Sequence, residues 1–312
     1  MKVSGTNSPG KTVIIITGPT GVGKTAAAIA IAQHYRTEII SADSRQCFKE
    51  LNIGVARPSP EELQQVPHWF IASHSVTDDV NAVVFEQYAL QKAIELFHDH
   101  DIVVMAGGTG LYIKAFCEGM DEMPAVDPAI RSGIAKNFEE QGITWLHEEI
   151  KQKDPAFYQT GEIQNPQRLM RALEIMEATG QSILHFRKGN KTKRDFDIIK
   201  IGLELPKEEL HSNINTRVDK MIEAGLVNEV QQLQVYRQLN ALQTVGYTEV
   251  FDFLDNKISL QQATDAIKQN TRHYAKRQMT WFRKDKEVVW FSPLDLQKIK
   301  EYLDSTLSQN LY

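Results

Sequence analysis

The sequence predicts an α/β protein, a parallel-sheet core interrupted by an all-helical insertion. Three observations carry that expectation. The run TVIIIT at Thr12–Thr17 is continuously β-branched, the character of a strand buried on both faces. Strand-like and helix-like stretches alternate through the first 119 residues. Beyond Gly119 the pattern turns helical and stays so to Arg187.

The elements follow in order. After the first strand, Gly-rich punctuation leads into Lys24–Tyr35, whose Ala/Ile content suits a helix. EIISA at 38–42 reads as a second strand. Residues 86–98 have helical spacing, with Tyr88, Ala89, Ile94 and Phe97 as the expected buried stripe. DIVVMA at 101–106 reads as a third strand, closed by Gly107-Gly108. Residues 127–187 read as helices. Asn165-Pro166 marks one start, because Pro suits the first helical position. IIKIGLEL at 198–205 reads as another strand, with helices from there to the end. The expected domains are a core over 11–119 and 195–312 and an insertion over 120–194. The basic stretch RKGNKTKR at 187–194 reads as a mobile return linker or a contact to backbone phosphate.

Composition bounds the function. The 312 residues suggest about two domains at roughly 150 residues each, enough to build a real core. A 42% hydrophobic and 24% charged chain is neither disordered nor fibrous. A net charge of -5 excludes a uniformly basic surface, yet Lys and Arg concentrate at 168–171, 187–194 and 268–286. Two cysteines, Cys47 and Cys117, cannot form a disulfide framework or a four-ligand zinc site, and they read as reduced thiols. No apolar run approaches the roughly 18 residues of a membrane span, and the N-terminus lacks the apolar core of a signal peptide. The expectation is a cytoplasmic protein. His68, His74, His98, His147 and His185 show no ligand spacing and read as ordinary histidines.

Gly18-Pro19-Thr20-Gly21-Val22-Gly23-Lys24-Thr25 fits G-x-x-x-x-G-K-[ST], after a strand and before a helix. The expected core is therefore P-loop NTPase-like. Backbone N–H groups of such a loop turn inward around an anion, and the helix N-terminus adds partial positive charge. Lys24 supplies a point charge to diphosphate or nucleotide phosphates such as those of ATP. Thr25 offers a hydroxyl to Mg²⁺. The strand DIVVMA ends without the Asp that motor and switch ATPases place there. A small-molecule kinase or another transferase stays open at this point.

Asp43 follows the second strand in SADSRQ, on the side where ligands of open α/β sheets sit. Its carboxylate suits a general base or a magnesium contact, or a simple turn cap. Gln46 suits a base edge or a plain surface. Thr109, in GGTGLY, can orient a substrate group or close a strand-to-helix turn.

Together, GPTGVGKT, ISADSRQ, IGVARP, GGTGLY, NPQRLMRALE, Arg217-Val218 with GLVNEV, VGY at 245–247 and TRHYAKRQ resemble the tRNA dimethylallyltransferase family along nearly the whole chain. Departures are small: Cys47-Phe48, Val55 and Arg57 replace residues more common in the family. The resemblance implies transfer of a dimethylallyl group from dimethylallyl diphosphate to an adenosine amine. That adenosine lies just 3′ of the anticodon in tRNAs reading U-initial codons, and diphosphate is released. It implies Asp43 as general base, with Thr109 placing the amine. It also implies Lys24, Thr25, the loop amides and Arg217 around the diphosphate, with magnesium.

It further implies tRNA contacts at Asp43, Ser44, Arg45, Gln46, Thr109, Arg131, Gln167, Arg168, Leu169, Met170, Arg171, Arg277 and Arg283. Without the resemblance, exposed Arg pairs such as Arg168 and Arg171 read as solvated. In 268–286, seven basic residues face one acidic residue with Tyr274, Trp281 and Phe282 interleaved. Trp281 and Phe282 read as core, and Arg277 and Arg283 as facing tRNA or diphosphate. Tyr112 and Tyr247 read as prenyl-channel lining or plain core. The expected partners are the tRNA anticodon stem-loop and dimethylallyl diphosphate, for a monomer without an obligate protein partner. The rivals are an adenylate isopentenyltransferase acting on free AMP, ADP or ATP, a P-loop small-molecule kinase, and a non-catalytic tRNA-binding protein.

Overall fold

The computed structural model describes residues 10–160, 163–189 and 191–309. The start of the N-terminal stretch and Asn190 of the basic linker lie outside them. The chain divides into two compact units, residues 1–117 with 193–312, and Glu118–Thr192.

The first unit is built on six parallel strands in the order β3-β2-β4-β1-β5-β6. These are β1 (Thr12–Thr17), β2 (Ile39–Ser41), β3 (His68–Trp69), β4 (Ile102–Gly107), β5 (Asp197–Leu203) and β6 (Val288–Phe291). Its helices are α1 (Lys24–Tyr35), α2 (Pro60–Gln65), α3 (Ala82–Leu96) and α4 (Gly110–Glu118), the last of which reaches the unit boundary. The second unit holds α5 (Pro128–Lys153), α6 (Pro155–Thr160), α7 (Pro166–Thr179) and α8 (Ile183–Phe186). The first unit resumes with α9 (Lys207–Glu223), α10 (Leu226–Gln232), α11 (Tyr247–Leu254), α12 (Leu260–Phe282) and α13 (Leu296–Gln309).

β1 is central because every residue in it is buried. Its side chains alternate across the sheet. Val13 and Ile15 join one hydrophobic cluster, Ile14 and Ile16 the other. Burial of each contributes about 1.5–3 kcal/mol. The register pairs Thr17 of β1 with Gly107 of β4, and Ser41 of β2 with Ala106. The carboxyl ends of three strands therefore finish level, and the loops that follow them meet.

The buried stripe of α3 is Ala82, Phe85, Ala89, Ala93 and Leu96. Ile94, expected in that stripe, is 54% exposed. The helix begins earlier than its sequence spacing indicates, because the Asn81 side chain accepts from the Val83 and Val84 N–H groups and caps it there. The expectation of helices alone after β5 is corrected by β6. Lys200 of β5 bonds Asp285 and Glu287 at 2.7 Å each and anchors the chain as it enters that strand.

The second unit has its own core of Ile134, Leu146, Ile150, Phe157, Leu169 and Leu173, among others. Gly142, with φ +71°, breaks α5 into two helical runs. Asn165 caps α7 through the Gln167 N–H, and Pro166 opens it.

Candidate active site

The loop between β1 and α1 is closed by neighbours on two sides. Gln278 of α12 accepts the Thr20 N–H at 2.8 Å and donates to the Gly108 carbonyl at 2.8 Å. This buried glutamine ties the glycine loop to the turn after β4. Gly107 permits the β2–β4 junction, since a Cβ there would lie 2.1 Å from the Ala42 carbonyl oxygen. The same junction is held by the Ala42 N–H on the Ala106 carbonyl and the Thr109 N–H on the Ala42 carbonyl.

Two cavities open at these strand ends. The first, of about 240 Å³, is lined by Lys24, Thr25, Glu62, His68 and the loop glycines Gly21 and Gly23. The second, of about 380 Å³, has an apolar wall of Ile214, Val218, Met221 and Ile267, with Ser44, Arg45, Gly54 and Arg277 around it. Thr20, Asp43, Arg217 and Tyr274 line both.

The electrostatics centre on Lys24, Asp43 and Arg217. Lys24 donates to the Pro19 carbonyl at 2.8 Å. Burial pushes its ammonium down to about 8; Asp43 opposes that shift and Arg217 adds to it. Burial also acts against the charge on Arg217, and Asp43 and Glu62 counter it. Asp43 Oδ1 accepts the Arg45 and Gln46 N–H groups at 2.9 and 3.2 Å. The turn-cap expectation thus holds for one carboxylate oxygen, while the residue also lines both cavities.

Other residues sit differently from the sequence reading. Thr109 lines neither cavity; its Oγ1 accepts the Ser44 N–H at 3.0 Å and donates to Ser44 Oγ at 3.3 Å. The Gln46 amide donates to the Val55 and Ala56 carbonyls, so its hydrogen bonds go to the backbone. Arg45 donates to Asn240 at 3.3 Å. Arg283 pairs with Glu204 at 3.0 Å beside a separate groove that includes Pro19, Lys207 and Lys276. Trp281 is 37% exposed rather than core; the indole packs on bare backbone at Gly110, where a Cβ would lie 2.2 Å from it. Phe282 is buried, as are Tyr112 and Tyr247. His68 is not an ordinary surface histidine, since it faces the first cavity. Its Nδ1 lies 2.8 Å from the Val66 carbonyl, and burial lowers its pKa.

In the second unit, Leu169 is fully buried in the core and its side chain is closed to any ligand, against expectation. Met170 packs half-buried on that core, while Gln167 is exposed. Arg171 and Arg131 converge on one buried carboxylate, Glu174, at 2.9 and 3.5 Å. The basic linker is anchored rather than loose at its far end. The Arg194 side chain, mostly enclosed, bonds Glu86 and the Ala115 and Phe116 carbonyls.

Gln278, Glu62 and His68 carried no expected role in the sequence. Gln278 had a readable signal: it shares the 275, 278, 282 spacing with buried Ala275 and Phe282, a polar side chain on an apolar stripe. His68 and Glu62 are separated by a short stretch with no motif.

Among the described residues no three His, Cys, Asp or Glu side chains are grouped to hold a metal ion. Among the oxygen-bearing side chains that line the first cavity, the carboxylates are Asp43 and Glu62, and the Thr25 hydroxyl lies at the start of the helix. Such a sparse set fits magnesium, which keeps several waters and takes its remaining ligands from substrate phosphates.

Fold and site define an α/β protein with a cationic glycine-loop cavity at the carboxyl ends of a parallel sheet. The IPP transferase family model matches residues 46–285. A tRNA dimethylallyltransferase of Christiangramia forsetii is 47% identical, covering 95% of this chain and 98% of that protein. One from Cytophaga hutchinsonii is 44% identical over 96% and 98%. The solved full-length tRNA isopentenylpyrophosphate transferase of Bacillus halodurans is 30% identical with a TM-score of 0.71, covering 96% of this chain and 98% of that one. The chain belongs to the tRNA dimethylallyltransferase family.

Proposed function

We propose that this chain transfers a dimethylallyl group from dimethylallyl diphosphate to the exocyclic amine of the adenosine 3′-adjacent to the anticodon, in tRNAs reading U-initial codons. The observation that carries the reading is the meeting of two cavities at Asp43 and Arg217. One is a glycine-loop cradle with cations; the other has an apolar wall.

Diphosphate occupies the first cavity. ATP, with the same phosphate chemistry, competes for that cradle. Lys24, Arg217, Thr25 and the loop N–H groups stabilise charge that grows on the leaving oxygens as the allylic C–O bond breaks. Magnesium held by Thr25 and the diphosphate would supply further positive charge at those oxygens. The adenine amine enters the second cavity, unstacked from the anticodon loop. Its nitrogen forms the new C–N bond, and Asp43 Oδ2 takes the proton. Thr109 acts through Ser44, whose N–H and hydroxyl it holds beside Asp43. Gln167, Arg168, Met170 and Arg171 with Arg131 and Arg277 contact the stem-loop backbone. The protein works as a cytoplasmic monomer; no helix among the described residues is long and apolar enough to cross a membrane.

Incubation with dimethylallyl diphosphate, magnesium and unmodified tRNA, followed by nucleoside mass spectrometry, is expected to yield isopentenyladenosine at one position. No product on any tRNA reading a U-initial codon overturns the reading. Product on AMP but not on tRNA replaces the acceptor.

A further inference from the structure

The loop 53–58 runs along both cavities. Gly54 and Val55 line the second, Pro58 the first. Different groups hold its two halves. In the first half, Glu229 of α10 accepts the Ile53 N–H at 2.7 Å and the Gly54 N–H at 3.1 Å. The same carboxylate takes the Tyr247 hydroxyl at 2.6 Å. Tyr247 is fully buried with its ring against Gly54; a Cβ on Gly54 would lie 2.5 Å from that ring. In the second half, Gln46 donates to the Val55 and Ala56 carbonyls at 3.2 and 3.0 Å. The Arg57 guanidinium reaches back to the carbonyls of Phe48, Lys49 and Leu51. Within this second half Ala56 has φ +47°, a left-handed conformation that a non-glycine residue keeps only when its surroundings impose it.

The chain of contacts ends on the proposed base. Gln46, which grips Val55 and Ala56, gives its own N–H to Asp43 Oδ1. Tyr247, Glu229, the loop, Gln46 and Asp43 thus form one continuous hydrogen-bonded path. None of the chemical steps uses Glu229 or Tyr247, yet a carboxylate receiving three donors makes bonds of the stronger, charge-assisted kind.

We propose that Glu229 and Tyr247 are a positioning pair that fixes the Gly54 and Val55 wall of the acceptor cavity relative to Asp43, so that the adenine amine is held at the carboxylate. This rests on the acceptor role given above to the second cavity. Small misplacement of a reacting group costs rate steeply, so the wall's position acts on the acceptor step. Pro58 follows Arg57, whose guanidinium is held by the Phe48, Lys49 and Leu51 carbonyls and also feels the Glu229 charge; Tyr247→Phe leaves both in place, so it is the variant that spares the diphosphate side.

The test is steady-state kinetics on the full chain with each substrate varied in turn. Glu229→Gln puts an amide NH₂ against a backbone N–H. Tyr247→Phe removes only the hydroxyl and keeps the ring on Gly54. Both are expected to lower kcat/KM for tRNA by about tenfold or more, the effect of losing a charged hydrogen bond. The KM for dimethylallyl diphosphate is expected to stay within about twofold, as contacts to that substrate are unchanged. A matching rise in the KM for dimethylallyl diphosphate, unaltered kinetics, or losses that track a fall in Tm overturn the pair. Should Glu229→Gln fail to fold, Tyr247→Phe decides alone. Absence of product from the unaltered chain would overturn the proposed function; turnover there with unchanged variants overturns the pair only.

Discussion

Asp43 divides its labour between two oxygens. Oδ1 closes the turn through Arg45 and Gln46, and Oδ2 is the one proposed to take a proton. Asp43→Asn keeps an acceptor for the turn and removes the charge. It is expected to lower turnover by about 10²–10⁴-fold while tRNA binding by filter retention is kept. Asp43→Ala would confound the two roles. Lys24 sets a pH limit. In the proposed reaction its charge serves the anion, and burial brings its pKa in the ligand-free protein down to about 8. As pH rises through that value the ammonium is lost, so kcat/KM for dimethylallyl diphosphate is expected to fall with a limb near pH 8. A flat profile from pH 7 to about 9.5 would remove Lys24 from that role. That Lys24, Thr25 and Asp43 meet at one cavity was legible, because motif and strand-end placement bring them there. His68 was not, since nothing in its local sequence records that β3 delivers it to the cavity.

At the level of elements, strong patterns were readable and weak ones were overridden. β1 and α1 match their sequence bounds because an all-apolar β-branched run and an Ala-rich run allow little else. β3, two residues long, is made a strand only by its partner β2. β6 is an edge strand of four residues, and its apolar run would equally suit a buried helical turn without Lys200 to anchor its start. The α7 amphipathicity was readable too, and it separates two roles on one helix. Arg171 lies toward solvent, bonded to Glu174; Leu169 points into the core. Leu169→Ala is therefore expected to cost about 2–5 kcal/mol of stability in the helical unit, read by chemical denaturation. A loss of tRNA affinity without a loss of stability would show that the side chain reaches the ligand after all.

Over the whole molecule, a net charge of -5 coexists with local basic clusters, so affinity for a polyanion depends on where the cations lie. Replacing Arg168 and Arg171 together with Ala is expected to weaken tRNA binding at low salt. It should also flatten the log Kd against log salt slope by about one to two, the release of counterions from about two phosphates. An unchanged slope would take both side chains off the backbone. The division into two units with separate cores was legible from the switch in periodicity near Gly119. Its boundaries fall at Glu118 and Thr192, where Glu118 accepts the Thr192 N–H at 2.8 Å and closes the excursion.

Thr20, Asp43, Arg217 and Tyr274 belong to both cavities at once. Whatever ligand fills one side alters the electric field and the freedom of side chains that form the other. The two sites are therefore expected to be thermodynamically linked, and any such linkage is reciprocal. If inorganic diphosphate changes the affinity for a tRNA stem-loop by some factor, the stem-loop must change the affinity for diphosphate by that same factor. Calorimetric titrations around the closed cycle measure that number, and a coupling of zero would mean that the common wall is rigid and its charges fully screened.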